Sequence, residues 1–163
     1  MKFQYRITKY DPKNRDENGR YIQTEWTSFK DVGNTFGTFV LSEQEYHRVE
    51  DAYVSSALAF LNESGIRKLS LVEVQKPNAI QLAQLELHDG GICKIEDAEE
   101  LFRAALREQF WCKFEWQSEA YVHFGWDYYM YVGVSHDCPN AIAYAEGLGL
   151  FVEPFVSPYQ EGG

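Results

Sequence analysis

The sequence predicts an α+β domain in which a mainly antiparallel sheet carries two to three helices on one face. Some segments alternate apolar and polar residues with a period of two, as strands do, and others repeat apolar residues every three or four positions, as helices do. The two kinds of segment follow one another without strict βαβ alternation, which favours antiparallel pairing. Because 45% of the 163 residues are hydrophobic and 16% are aromatic, we expect residues 1–163 to form a single domain with a large aromatic core.

The first segment begins with alternating apolar and polar residues, which predicts a strand over about residues 2–10. Asp11-Pro12 ends this strand, and a polar loop or wide hairpin follows. Thr27 or Ser28 is suited to cap a short helix that ends near Gly33.

The second segment contains the most strongly predicted helix of the chain. Ser42 and Glu45 form a capping box, in which each residue satisfies a free backbone amide of the first turn. Apolar residues then recur at spacings of three and four up to Gly65, which predicts a long amphipathic helix. The alternating residues 68–75 predict a strand that ends before Pro77.

The middle of the chain predicts a hairpin and a second helix. Residues 82–87 and 92–95 are predicted to pair through a turn at Asp89-Gly90-Gly91. A helix is predicted over about residues 96–110, because four acids in its first turn suit the positive end of the helix dipole and an apolar stripe follows.

The last segment predicts two strands, a short helix and a final strand. Residues 110–116 and 121–134 are interpreted as a strand pair, the second of which is unusually aromatic. Pro139 is suited to open a short helix over residues 140–147, and residues 150–153 predict the last strand.

Several classes of protein are disfavoured by the composition. The start of the sequence has no apolar signal region, and no apolar run approaches the ~18 residues that a membrane span requires. We therefore expect a cytoplasmic protein that does not bind membranes. Cys93, Cys112 and Cys138 are odd in number and form no CxxC pair, so we expect buried thiols rather than disulfides or a zinc site.

Negative charge is concentrated toward the C-terminus. The net charge is −10, and residues 114–163 contain seven acidic residues and no Lys or Arg. Such a segment repels nucleic acid phosphates and attracts basic proteins. The alternative is that the negative charge only keeps the protein in solution.

The aromatic run in residues 121–134 is the most distinctive feature of the sequence. Treated as one strand, it places Trp126 and Tyr128 on the core face and a set of polar and aromatic side chains on the other. That set, Tyr121, His123, Asp127, Tyr129 and Tyr131, offers hydroxyls, an imidazole and a carboxylate on a rigid sheet. Binding surfaces favour such side chains. The alternative is that a helix covers these tyrosines.

Catalytic, cofactor and metal sites have weaker support. His123 and Asp127 would lie ~13 Å apart on a straight strand, and only a bulge at Gly125 would bring them together as a catalytic dyad. On the predicted long helix, a metal site is geometrically conceivable at Glu43, His47, Glu50 and Asp51, although a solvated face is the usual reading. No common phosphate-binding, nucleophile-elbow or zinc-protease motif is present, so we expect no catalytic residue, no cofactor and no metal.

Two segments of the sequence resemble known proteins. YRITKYDP at residues 5–12 with EWTS at residues 25–28, together with HFGWDYYMYVG at residues 123–133, resemble a family of uncharacterised bacterial proteins of about this length. This resemblance implies a bacterial origin and a single domain. In its small size, acidity and aromatic content, the chain is also similar to immunity proteins that neutralise toxins of contact-dependent or type VI secretion systems.

The sequence thus favours a non-enzymatic acidic binding protein, which we interpret as an immunity-type inhibitor of a basic, nuclease-like toxin. Its expected contact residues are Glu119, Tyr121, His123, Asp127, Tyr129 and Tyr131. The alternative is a small enzyme or ligand-binding protein with a site around His123, Asp127 and the nearby tyrosines. A third possibility is a subunit of a larger assembly.

Overall fold

The computed structural model describes residues 1–75, 81–82 and 85–160. In these residues, three helices pack on a seven-stranded antiparallel sheet, which confirms the α+β class. In chain order the strands are β1 (Phe3–Thr8), β2 (Thr35–Phe36), β3 (Phe39–Val40), β4 (Lys68–Gln75), β5 (Gln81–Leu82), β6 (Leu85–Glu86), β7 (Ile92–Lys94), β8 (Trp111–Trp116), β9 (Ala120–Phe124), β10 (Met130–Val134) and β11 (Phe151–Pro154).

The large sheet has the order β11-β1-β10-β9-β8-β4-β7, whereas β2 with β3 and β5 with β6 form separate two-stranded pairs. The predicted pairing of residues 92–95 with residues 82–87 is wrong. Strand β7 pairs with β4, and the turn residues Gly90 and Gly91 exchange backbone hydrogen bonds with Leu71 of that strand. Residues 83–84 of the predicted hairpin lie outside the described residues.

The helices of the described chain are α1 (Glu43–Glu63), α2 (Ile95–Leu106) and α3 (Pro139–Gly147). The Ser42 hydroxyl accepts the Glu45 amide at 3.0 Å, which is one half of the predicted capping box, whereas the Glu45 carboxylate pairs with Arg48 instead. Pro139 opens α3 as predicted, and α2 begins without a side-chain cap. A 3₁₀ turn at Phe29–Asp31 is capped by Ser28, which confirms the short helix expected there.

The two faces of the sheet differ in chemistry. The strand register places one apolar row across the sheet, from Ile7 through Met130 to Phe124. These side chains join the hydrophobic core, which also contains the buried residues of the three helices. Cys93, Cys112 and Cys138 are buried free thiols, as expected. The opposite face carries polar side chains, and we call it the polar face.

A buried carboxylate ties the two longer helices together. Glu50 of α1 is only 1% exposed, and its oxygens accept hydrogen bonds from Arg107 at 2.7 and 3.0 Å and from Arg103 at 3.0 Å. The Tyr46 hydroxyl also donates to Glu50. Burial alone would raise the pKa of this carboxyl, but the hydrogen bonds from Arg107, Tyr46 and Arg103 outweigh burial and lower the pKa.

Replacing Glu50 tests this arrangement. Glu50→Gln should lower the free energy of unfolding by about 3 kcal/mol, because it leaves two guanidinium groups without their shared carboxylate in a partly buried position. Asp51→Asn is the matched control, since Asp51 also contacts Arg103, at 2.6 Å, but is solvent-exposed. It should cost less than about 1 kcal/mol. Urea denaturation of both variants measures the difference, and equal losses would contradict the assigned role of Glu50.

Candidate functional site

The aromatic run predicted as one strand is instead two strands joined by a tight turn. Strands β9 and β10 pair antiparallel, with His123 opposite Tyr131, and residues 125–129, which we call the Trp126 turn, connect them. The predicted core position of Trp126 is wrong, because its side chain is 81% exposed, whereas Tyr128 is buried as predicted. Gly125 and Asp127 are common turn residues, but the surrounding β-forming aromatics concealed that signal.

The Trp126 turn is held in a strained backbone conformation. Asp127 and Tyr128 have φ angles of 61° and 65°, in the left-handed region that side chains other than glycine rarely adopt. The Tyr10 hydroxyl donates to the carbonyl of Asp127, and the Tyr53 hydroxyl donates to that of Tyr128 at 2.9 Å. Neighbouring groups therefore stabilise a conformation that costs about 1 to 3 kcal/mol per residue.

The turn is also connected to the buried carboxylate. The Tyr128 hydroxyl donates to the Tyr46 hydroxyl at 3.0 Å, and Tyr46 in turn donates to Glu50. The rings of Trp26 and Tyr53 pack against Tyr128 with centroids 5.1 and 4.8 Å away. Trp126 and Asp127 are thus displayed on a turn that is fixed from beneath.

The polar face is crossed by residues 155–160, which we call the strap. The Phe155 amide donates to the Gln4 carbonyl of β1, and the Ser157 amide donates to the Tyr121 hydroxyl of β9. The Tyr159 ring then packs against Trp111 of β8 at 5.3 Å. The strap therefore runs from the edge strand β11 over four strands of the sheet.

Tight packing under the strap requires glycine at one sheet position. A Cβ atom added at Gly133 would overlap the ring of Tyr121 on the neighbouring strand. Tyr121 is buried and also stacks on the His123 ring, with centroids 4.3 Å apart. The polar face below the strap is consequently packed like an interior.

His123 joins the strap to the sheet through both of its ring nitrogens. Its Nδ1 lies 2.8 Å from the Ser157 hydroxyl oxygen, and its Nε2 lies 2.9 Å from a carboxylate oxygen of Glu115. Burial and, secondarily, the nearby Lys113 ammonium lower the pKa of His123 to about 3. The Glu115 carboxylate, 2.9 Å from Nε2, acts in the opposite direction, as any nearby negative charge does, but it does not outweigh burial. The ring is therefore neutral at pH 7: Nε2–H donates to Glu115, and Nδ1 accepts from Ser157.

The six residues predicted to contact a partner lie beneath the strap, on the Trp126 turn and, for Glu119, at the other end of β9. Tyr121, His123 and Tyr131 lie together and buried beneath the strap, so a strap rather than a helix covers them. Tyr129 is half-buried and accepts a hydrogen bond from Arg15 at 2.8 Å. Asp127 and Glu119 are exposed but lie at opposite ends of β9.

Asp127 does not pair with His123, and the four residues considered for a metal site do not point to a common place. The carboxylate at hydrogen-bond distance from His123 belongs to Glu115, on the adjacent strand, whereas Asp127 lies on the Trp126 turn. On α1, Glu50 points inward to the two arginines, while Glu43, His47 and Asp51 are exposed. In the part of the chain that the structure describes, no group of three or more His, Cys, Asp or Glu side chains is placed to hold a metal ion.

Three residues of this region were not predicted as site residues from the sequence. Glu115 and Ser157 were given no role, and Trp126 was placed in the core. Glu115 and His123 become neighbours only through the register of β8 and β9, for which the sequence carries no signal. For Ser157, the flanking Pro154 and Pro158 signalled an extended segment but not where it lies.

Comparison with known proteins found no matching family model, no similar curated sequence and no similar solved structure. No helix among the described residues is long and apolar enough to cross a membrane. The function is therefore argued from the geometry above.

The neutral state of His123 predicts a dependence of stability on pH. A histidine with a pKa near 3 in the folded state and ~6.5 in the unfolded chain stabilises the fold above pH 6.5. That contribution is lost as the pH falls from 6.5 toward 3, by about 1.4 kcal/mol per pH unit, because only the unfolded chain takes up the proton. His123→Asn, whose side chain can still accept from Ser157, should lack this part of the acid destabilisation.

Urea denaturation between pH 7 and 4.5 measures the slope for the wild-type protein and the variant. His47→Asn is the control, because His47 is exposed on α1 and its loss should leave the slope unchanged. A wild-type slope equal to that of His123→Asn would show that the imidazole under the strap takes up protons as readily as a free one.

Proposed function

We propose that this chain is an acidic protein-binding module, and that it acts as an immunity-type inhibitor of a basic, nuclease-like toxin. The observation that carries the proposal is the Trp126 turn. A tryptophan that is 81% exposed, next to the exposed Asp127, lies on a backbone fixed by buried tyrosines. Exposed tryptophans are frequent hot spots of protein interfaces, and a preorganised turn loses little entropy on binding.

The charge of the chain supports a basic partner. The net charge is −10, and the segment that contains the turn has no Lys or Arg from residue 114 onward. A negative surface steers a basic partner toward the complex, and it disfavours nucleic acid as a ligand. Of the contact residues expected from the sequence, Asp127 is the one that lies beside Trp126 and is exposed, so the proposed contact centres on these two residues.

The proposal is tested with variants of the turn. Tagged protein is used to capture a partner from bacterial lysate, and the partner is then purified for binding measurements. Trp126→Ala should weaken binding at least about tenfold, as loss of a hot spot does. Asp127→Lys should mainly slow association, with a smaller difference at high salt.

Matched controls come from α3, where Tyr144 and Glu146 are exposed. Tyr144→Ala and Glu146→Lys repeat the same chemical changes and should leave the affinity within about twofold of the wild-type value. A basic partner that binds both turn variants as tightly as the wild-type protein would remove the turn from the interface. Failure of the purified partner to lose activity on binding would refute the inhibitor function.

A second candidate function is favoured by a different observation. Ser157, His123 and Glu115 form a continuous hydrogen-bonded series of the residue types by which hydrolases activate a serine. The ring nitrogens are exchanged relative to the serine protease triad, because Ser157 faces Nδ1 and the carboxylate faces Nε2. Ser157 is only 3% exposed and its oxygen also accepts the Tyr159 amide, so a substrate would reach it only after the strap moves. For this reason the binding function is our first choice.

A fluorophosphonate probe, which reacts with activated serines, tests this second candidate. A hydrolase would be labelled at one site, and Ser157→Ala would abolish the label whereas Ser118→Ala, at an exposed serine, would not. We expect no labelling above that of Ser157→Ala, because the hydroxyl is enclosed. Specific labelling of Ser157 would instead establish the enzymatic function.

A further inference from the structure

A groove lies beside the Trp126 turn, and none of the contact residues predicted from the sequence lines it. Its volume is about 610 Å³, and it is open to solvent. Among the described residues, its walls are largely aromatic and contain Phe110, Trp111, Phe124, Trp126 and Tyr159. A site of this size with largely aromatic walls is typical of a binding pocket.

Among the described residues, the polar side chains that line the groove are those of Lys30, Gln75, Glu108 and Tyr159. The Tyr159 hydroxyl lies beside Gly125, at the start of the Trp126 turn. The indole N–H of Trp111 donates to the Phe124 carbonyl at 2.7 Å, and Tyr159 packs against the ring, so Trp111 is held in place. The strap therefore forms one wall of the groove through Tyr159.

Glu108 occupies the left-handed position after the end of α2, where glycine is the common residue. Its φ angle is 61°, and the amides of Glu108 and Gln109 donate to the carbonyls of Ala105 and Ala104. This is the Schellman arrangement at the end of α2, in which a left-handed residue without a side chain costs least. The chain instead carries a carboxylate there, at the edge of the groove.

Strained backbone is concentrated around this groove. Among the described residues, five non-glycine residues have positive φ, and three of them, Glu108, Asp127 and Tyr128, lie at the groove or on the adjoining turn. Such conformations persist where the surrounding structure enforces them, and they cluster at ligand sites. This observation is independent of the aromatic walls.

The chemistry of the groove favours a cation. Aromatic faces attract guanidinium and ammonium groups, and Glu108 adds a carboxylate at the same place. Among the described lining residues, Lys30 carries the competing charge. Its ammonium lies 3.7 Å from Glu108, and the two side chains are 78% and 45% exposed. Such a pair contributes little and exchanges readily for a better partner. An anionic ligand would be repelled by the net charge of −10.

We propose that the groove binds an arginine side chain of a basic protein partner, stacked on the tryptophan faces and paired with Glu108. Arginine fits better than lysine, because its planar guanidinium stacks on aromatic rings and binds a carboxylate through two N–H groups. This inference rests on the proposed function, for which it names the group that the partner inserts. The groove exceeds one side chain in volume, so the residues flanking the arginine also find room.

The groove is tested with a defined probe, N-acetyl-triarginine amide, in an NMR titration of the full chain. The four tryptophans provide separate indole N–H signals, of which those of Trp111 and Trp126 should shift while those of Trp26 and Trp116 should not. Trp126→Ala and Glu108→Gln should each weaken binding roughly three- to thirtyfold. Lys30→Gln should tighten it, since the competing ammonium is removed.

Two controls separate this site from general attraction to an acidic protein. N-acetyl-triglutamate amide should cause no shift at Trp111 or Trp126, and Tyr144→Ala should bind triarginine like the wild-type protein. Triarginine that leaves both indole signals unmoved, or that binds equally to the wild-type protein and Trp126→Ala, would overturn the inference.

The two proposals fail in different ways. A purified partner whose binding depends on Trp126 but is unchanged by Glu108→Gln and by Lys30→Gln would support the binding function and refute the arginine site. If triarginine binds at the groove but the protein inhibits no basic partner, the arginine site is supported and the inhibitor function is refuted.

Discussion

The buried carboxylate of Glu50 is the interaction on which the rest of the structure depends. It accepts hydrogen bonds from Arg103 of α2, from Arg107 directly after this helix and from the Tyr46 hydroxyl, so it joins two of the three helices that pack on the sheet. Through Tyr46 and Tyr128 the same hydrogen-bonded series reaches the Trp126 turn. Burying a charge costs free energy unless each of its lone pairs accepts a hydrogen bond. The hydrogen bonds to Glu50 hold its partners in one geometry. The position of Trp126 at the surface therefore depends on how the helices pack.

The sheet uses its two faces for different purposes. One face packs apolar side chains against the helices, and the other packs Tyr121, His123 and Tyr131 beneath the strap. Polar groups that could have contacted a partner are thus occupied in holding the chain together. On the proposed binding function, a partner contacts the ends of the strands, where turns display their side chains and the strap contributes Tyr159 to a groove. Rigid sheets commonly carry their binding groups on such loops.

Local chemistry in the sequence predicted the fold class and the helix starts well, and the site less well. The Ser42 cap of α1 and the proline that opens α3 act within a few residues, so their effects can be read from the sequence. The turn at Gly125 was missed because aromatic residues on both sides favour strand and mask it. The contact of His123 with Glu115 and Ser157 depends on register and on the path of a distant segment. No periodicity of the sequence encodes either of these.

The position of β1 has a consequence for synthesis of the protein. This strand is made before its hydrogen-bonding neighbours in the large sheet, β10 and β11, which lie more than 120 residues later. During translation it cannot form these pairs until that intervening length of chain has been made. Pairing of such distant segments is slow, and an unpaired apolar strand is open to wrong partners. One face of β1 carries the polar or charged residues Gln4, Arg6 and Thr8. They keep that face hydrophilic before the strand has paired.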